Sequence, residues 1–174
     1  MKYKYTEKDL DLISWERIDK FIDKIYSEVL NYITKNNLKI RYIAPILRGG
    51  GVPAIKLSHM FNIIDMLPIQ LKHNAETKDI DPKIGLDYLK DSSIKPDECI
   101  LLVEGNQVTG KTTNIAVQML RKKFGDNVKI IQTQLNRIAR NYPAIPKIAQ
   151  ENGVFGVDTE DRRTGFVRCR SFRH

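Results

Sequence analysis

EGNQVTGKTT, residues 104–113, follows the apolar run Ile100–Val103 and precedes a helix-like segment, NIAVQMLRKKFG. How this stretch is read decides the fold. From Gly105 to Thr112 it satisfies G-x-x-x-x-G-K-[ST], the pattern of a P-loop. The chemistry of such a turn is general. Glycine lets backbone approach an anion, the first N–H groups of a helix point outward, and the helix dipole favours negative charge. Hydroxyls of Thr109, Thr112 and Thr113 and the ammonium of Lys111 add donors that a merely structural turn does not need. The stretch therefore reads as a phosphate-binding turn between a strand and a helix.

A nucleotide triphosphatase is one reading of it. That architecture needs several further strand–helix units and a second carboxylate at a strand end. Only 62 residues follow Thr112, and Asp158 in GVFGVD is the sole stand-in for that carboxylate. This reading also leaves an earlier glycine turn, Arg48–Gly51, without a role.

Outward from the turn, the pattern is strand, loop, helix, repeated. Ile18, Phe21, Ile22, Ile25, Val29, Tyr32 and Ile33 form one helical stripe over residues 15–35, with Ser14 as N-cap and Asn36-Asn37 as the stop. IRYIAPIL (40–47) reads as a buried strand. Gly49-Gly50-Gly51 turns it into the helix VPAIKLSHMFN, with Pro53 in the first turn. IIDMLPIQL (63–71) is a weaker strand signal, which Pro68 makes either no strand or an edge one. Residues 72–98 are polar and read as a flap. ILLVE (100–104) is a strand, 112–124 a helix closed by Gly125, VKIIQTQL (128–135) a strand, and GVFGVD (153–158) a short one. The expectation is a single α/β domain over residues 1–174, with a mostly parallel twisted sheet flanked by helices. Both glycine turns fall at carboxyl ends of strands, the edge where open α/β sheets bind ligands.

Bulk properties agree with a single globular domain. The chain has 174 residues, 41% hydrophobic and 29% charged, and no apolar run near bilayer length. The first fifteen residues lack the apolar core of a signal peptide, so a cytoplasmic protein is expected. Cys99 reads as a small buried residue and Cys169 as a thiol in a basic tail. The three histidines, His59, His73 and His174, lack ligand-like spacing. A net charge of +8 favours anionic partners. The excess gathers in DRRTGFVRCRSFRH at the C-terminus.

Two motifs in this order resemble the type I phosphoribosyltransferases. Arg48-Gly49-Gly50 at a strand end resembles that family's pyrophosphate loop. LLVEGNQVTGKTT resembles its motif for phosphoribosyl pyrophosphate (PRPP): four apolar residues, an acidic pair, three variable residues, then T-G-x-T. ISWERIDKFIDKIYSEV resembles its first helix, and 56 positions separate Arg48 from Glu104, with a polar flap between. The bacterial xanthine/guanine and hypoxanthine/guanine enzymes are the most similar branch. By this resemblance the P-loop match is an accident, created where the second acid became Gly105.

The resemblance implies transfer of a 5-phosphoribosyl group from PRPP to a nucleobase-like acceptor, a purine or analogue, with release of pyrophosphate. Arg48, Gly49 and Gly50 would hold the pyrophosphate. Val108, Thr109, Gly110, Lys111, Thr112 and Thr113 would surround the 5′-phosphate. Glu104 would fix the ribose and contact Mg²⁺, and with Arg48 would carry the catalytic load. Asn136, Arg137, Arg163 and Phe166 would lie at the base, the last two within a hood over residues 153–174. The flap over 72–98 would close on the ligand, and identical subunits would assemble, without membrane. Three departures stand out. Gly105 replaces an acid, Val108 stands where purine-specific members carry an aspartate, and Asn136 stands where they carry a lysine. Two alternatives follow: a non-catalytic PRPP or nucleotide regulator that contacts nucleic acid through Arg168, Arg170 and Arg173, and the P-loop triphosphatase.

Overall fold

The computed structural model describes residues 14–74, 77, 79–89, 93–107 and 110–137. Helix α1, Trp15–Lys35, starts at Ser14, whose hydroxyl accepts the Arg17 N–H at 3.3 Å. Its buried stripe is Ile18, Ile22, Ile25 and Val29, at the spacing of one helical face. Asn36 caps its end, and Asn37 turns the chain with φ of 51°.

Strand β1, Lys39–Leu47, is buried almost throughout. It leads into α2, Gly51–Phe61, which Asn62 closes in the left-handed conformation. Strand β2, Ile69–His73, pairs parallel with β1 and antiparallel with β3, Ile80–Ile84. β4, Glu98–Gln107, lies on the other side of β1 and is followed by α3, Lys111–Phe124, and β5, Lys129–Arg137. The sheet order is β3-β2-β1-β4-β5, parallel except for β3.

Two layers of apolar side chains sandwich the sheet. Ile22, Ile25 and Val29 of α1 and Ala54 and Leu57 of α2 pack on Ile43, Leu101, Val103 and Ile131. Tyr26 meets Phe61 with ring centroids 4.6 Å apart, and Lys56 binds Asp19 at 2.7 Å. On the opposite face, Ala116, Val117 and Leu120 of α3 cover Ala44, Ile100, Leu102 and Ile130. Cys99 lies wholly inside, and burial pushes its thiol up to about 12. Among the described residues no helix is long and apolar enough to cross a membrane.

Two elements differ from the sequence reading. The weak strand after Pro68 is no edge: β3, from within the polar segment 72–98, pairs along its outer side. Beyond β3, Leu86 is buried against the α3 layer, and the Lys123 ammonium donates to the Leu89 carbonyl. β4 continues three residues past Glu104, so Gly105, Asn106 and Gln107 belong to the strand rather than the turn. The expected strand at 153–158 and the hood at 153–174 lie outside the described residues.

Candidate functional site

The chain leaves β1 toward β2 on one side of the sheet, whereas β4 and β5 lie on the other. The gap between the carboxyl ends of β1 and β4 is therefore the topological switch point, where open α/β sheets take ligands. Both glycine turns meet there.

The turn after β1 begins with a cis Leu47–Arg48 peptide and folds back on its own strand. The Gly50 N–H donates to the Ile46 carbonyl at 2.9 Å, and that of Gly51 to the Arg48 carbonyl at 3.0 Å. Gly50 is glycine for want of space. A Cβ there would stand 2.1 Å from the Val103 carbonyl oxygen of β4. Gly49 presses against Gly105. A Cβ on Gly105 would lie 2.7 Å from both the carbonyl carbon and oxygen of Gly49 and 2.8 Å from its Cα. The turn after β1 and the end of β4, far apart in sequence, thus touch backbone to backbone, and Arg48 is exposed beside the contact.

Glu104 immediately precedes that contact. Along β4, Ile100 and Leu102 point to the α3 layer, and period-2 alternation puts Glu104 on the same face. Thr113, in the first turn of α3 and buried, donates its hydroxyl to Glu104 Oε2. Burial pushes the Glu104 carboxyl up to about 7; the Thr113 hydrogen bond favours the anion and offsets this only in part. Gly110 is the N-cap of α3 with φ of 72°, a conformation suited to glycine, and Lys111 is exposed as the first helical residue. Neither α2 nor α3 has a capping side chain or an acid in its first turn.

Sequence reasoning missed Gln134. It stands in register with Glu104 on β5, is 3% exposed, and its side-chain nitrogen has no partner among the described residues. Gln132, one pair deeper opposite Leu102, has neither amide atom partnered among them. The signal was two glutamines at period 2, between the apolar residues Ile131 and Leu135.

Arg48, Gly49, Gly50, Glu104, Gly110, Lys111, Thr112 and Thr113 thus gather at one edge, around the β1–β4 switch point. Asn136 and Arg137 end β5 on the same edge, in register with Asn106 and Gln107. Val108, Thr109, Arg163 and Phe166 lie outside the described residues. The P-loop reading loses its first glycine, since Gly105 sits inside a strand and against another backbone, not in a turn around an anion.

No protein-family model matches the chain, and no curated protein matches it by sequence. Solved structures do. A purine phosphoribosyltransferase from Pyrococcus horikoshii superposes with a TM-score of 0.61 at 21% identity, over 88% of this chain and 90% of that one. The xanthine-guanine-hypoxanthine phosphoribosyltransferase of Helicobacter pylori gives 0.63 at 18% identity, over 86% and 87%. The fold is that of the type I phosphoribosyltransferases. A Neisseria gonorrhoeae protein solved with bound ppGpp shares it too, with a TM-score of 0.66 at 16% identity, over 91% of this chain and 88% of that one.

Among the described residues, the magnesium implied by the resemblance finds one carboxylate at this edge, Glu104, with an oxygen already engaged by Thr113. Among the described residues no group of three His, Cys, Asp or Glu side chains could hold a metal ion. Magnesium is a hard ion needing near-octahedral oxygen ligation. The described residues do not fit a protein-held magnesium site.

Proposed function

We propose that this protein is a phosphoribosyltransferase, moving the 5-phosphoribosyl group of PRPP to a purine or purine-like base. The observation that carries the reading is the Gly49–Gly105 contact, which brings the two anion-suited turns to one edge. In this reading Arg48 and the Gly49-Gly50 turn face the pyrophosphate, and residues 108–113 hold the 5′-phosphate. Glu104 accepts hydrogen bonds from the ribose hydroxyls. The C1′–O bond breaks, pyrophosphate leaves with the electron pair, and a ring nitrogen of the base forms the C1′–N bond, losing its proton to solvent. Catalysis is then positioning and charge stabilisation rather than covalent work by the protein. Asn136, Arg137, Arg163 and Phe166 are assigned to the base side. The same reading makes the protein a cytoplasmic assembly of identical subunits.

The experiment is pyrophosphate release from PRPP with a panel of purine and pyrimidine bases. Release with at least one base supports the reading. PRPP binding with no release from any base supports a second one, a nucleotide-binding regulator. That second reading is favoured by Gly105 and by the ppGpp bound to the Neisseria gonorrhoeae neighbour.

A further inference from the structure

Resting on that reading of the site, we propose that the protein binds its phosphorylated pentose ligand without help from a divalent cation, using the fixed charges of Arg48 and Lys111 instead. Glu104 is the one carboxylate in the core motif, and its Oε2 accepts the Thr113 hydroxyl. The next residue cannot supply another, because any side chain at 105 would start inside the Gly49 backbone, 2.7 Å from its carbonyl. The β5 residue in register with Glu104 is Gln134, a neutral amide, and the next on that face is Gln132. The turn Arg48–Gly51 contains no acid, and neither do the first turns of α2 and α3.

The steric term makes this more than a missing side chain. A divalent ion between ligand and protein is held by one or two carboxylates together with ligand phosphates, and the one carboxylate of this motif, Glu104, already has Oε2 engaged by Thr113. Here the space a second carboxylate would grow from is filled by another turn's main chain. Among the described residues, what remains at the edge is cationic: Arg48 is exposed beside the contact, and Lys111 is exposed at the start of α3. Such an arrangement suits a polyanionic ligand whose phosphate groups are met by guanidinium and ammonium groups.

Calorimetry decides it, using PRPP and guanosine 5′-monophosphate as probes, each with excess Mg²⁺ and with EDTA at matched ionic strength. The expected result is affinities within about threefold between the two buffers, and weakening of about tenfold by Arg48→Ala in both. A gain of about tenfold or more with Mg²⁺, for either ligand, overturns the proposal. Mn²⁺ added to the ligand-free protein gives an independent readout. No enhancement of water-proton relaxation is expected, and a saturable enhancement abolished by Glu104→Gln overturns the proposal. Failure of both probes to bind in either buffer refutes instead the functional reading on which it rests.

Discussion

The start of α1 and the starts of α2 and α3 are built from opposite materials. α1 begins with a serine cap bonded to the Arg17 N–H and an acid, Glu16, in its first turn. These are devices that satisfy a helix end and complement its dipole. α2 and α3 begin with Gly50 and Gly110, with no side-chain cap and no first-turn acid. Nor do the two sets of ends lie in like places. α2 and α3 start at the carboxyl edge of β1 and β4, next to Arg48 and Glu104, whereas α1 precedes the sheet altogether. The difference teaches that one helix start is spent on stability, and two are left with positive ends suited to an anion.

Four experiments break or sharpen that contrast. The largest effect is expected at Gly50. Gly50→Ala should cost about 3 kcal/mol or more, because the new methyl lands on the Val103 carbonyl. An unchanged urea midpoint would show that packing does not fix this turn. Replacing both Arg48 and Lys111 by alanine should weaken PRPP or nucleotide binding by about 100-fold while leaving the urea midpoint in place. A loss confined to stability would remove the ligand role of these two ends. Glu104 comes third. Its carboxyl is raised from 4.5 to about 7, so its contribution to stability is fully present below about pH 4.5 and is lost as the pH rises through about 7. Wild type should lose on the order of 2 kcal/mol across that window relative to Glu104→Gln. Parallel pH profiles for the two proteins would sink the assignment. Smallest is Ser14→Ala, which should cost about 1 kcal/mol of stability and leave ligand affinity unchanged.

Local pattern made most of the elements legible. The stripe of α1, its serine cap, the glycine stop of α3 and the apolar cores of β1 and β4 are all short-range signals, and the structure follows them. Two kinds of information were not local. IDPKI carries alternate charges and a proline, so it reads as loop, but on the outside of β2 it needs only one paired side. Gly105 likewise reads as part of a turn, because glycine usually marks one. Its actual reason is Gly49, which no window around residue 105 contains. The site was legible in its residue types at 48–50 and 110–113. The pairing of Glu104 with buried Gln134 follows from the β4–β5 register, which pattern alone does not fix.

The glycine-on-glycine contact also limits what position 105 can become. With the turn at 48–50 seated where it is, one substitution cannot introduce an acid at 105: the newcomer would collide before it could help. The neighbouring turn would have to retreat first, and that step alone brings no gain while residue 105 is still glycine. The two positions are thus interlocked, and any redesign of this edge has to change both backbones at once.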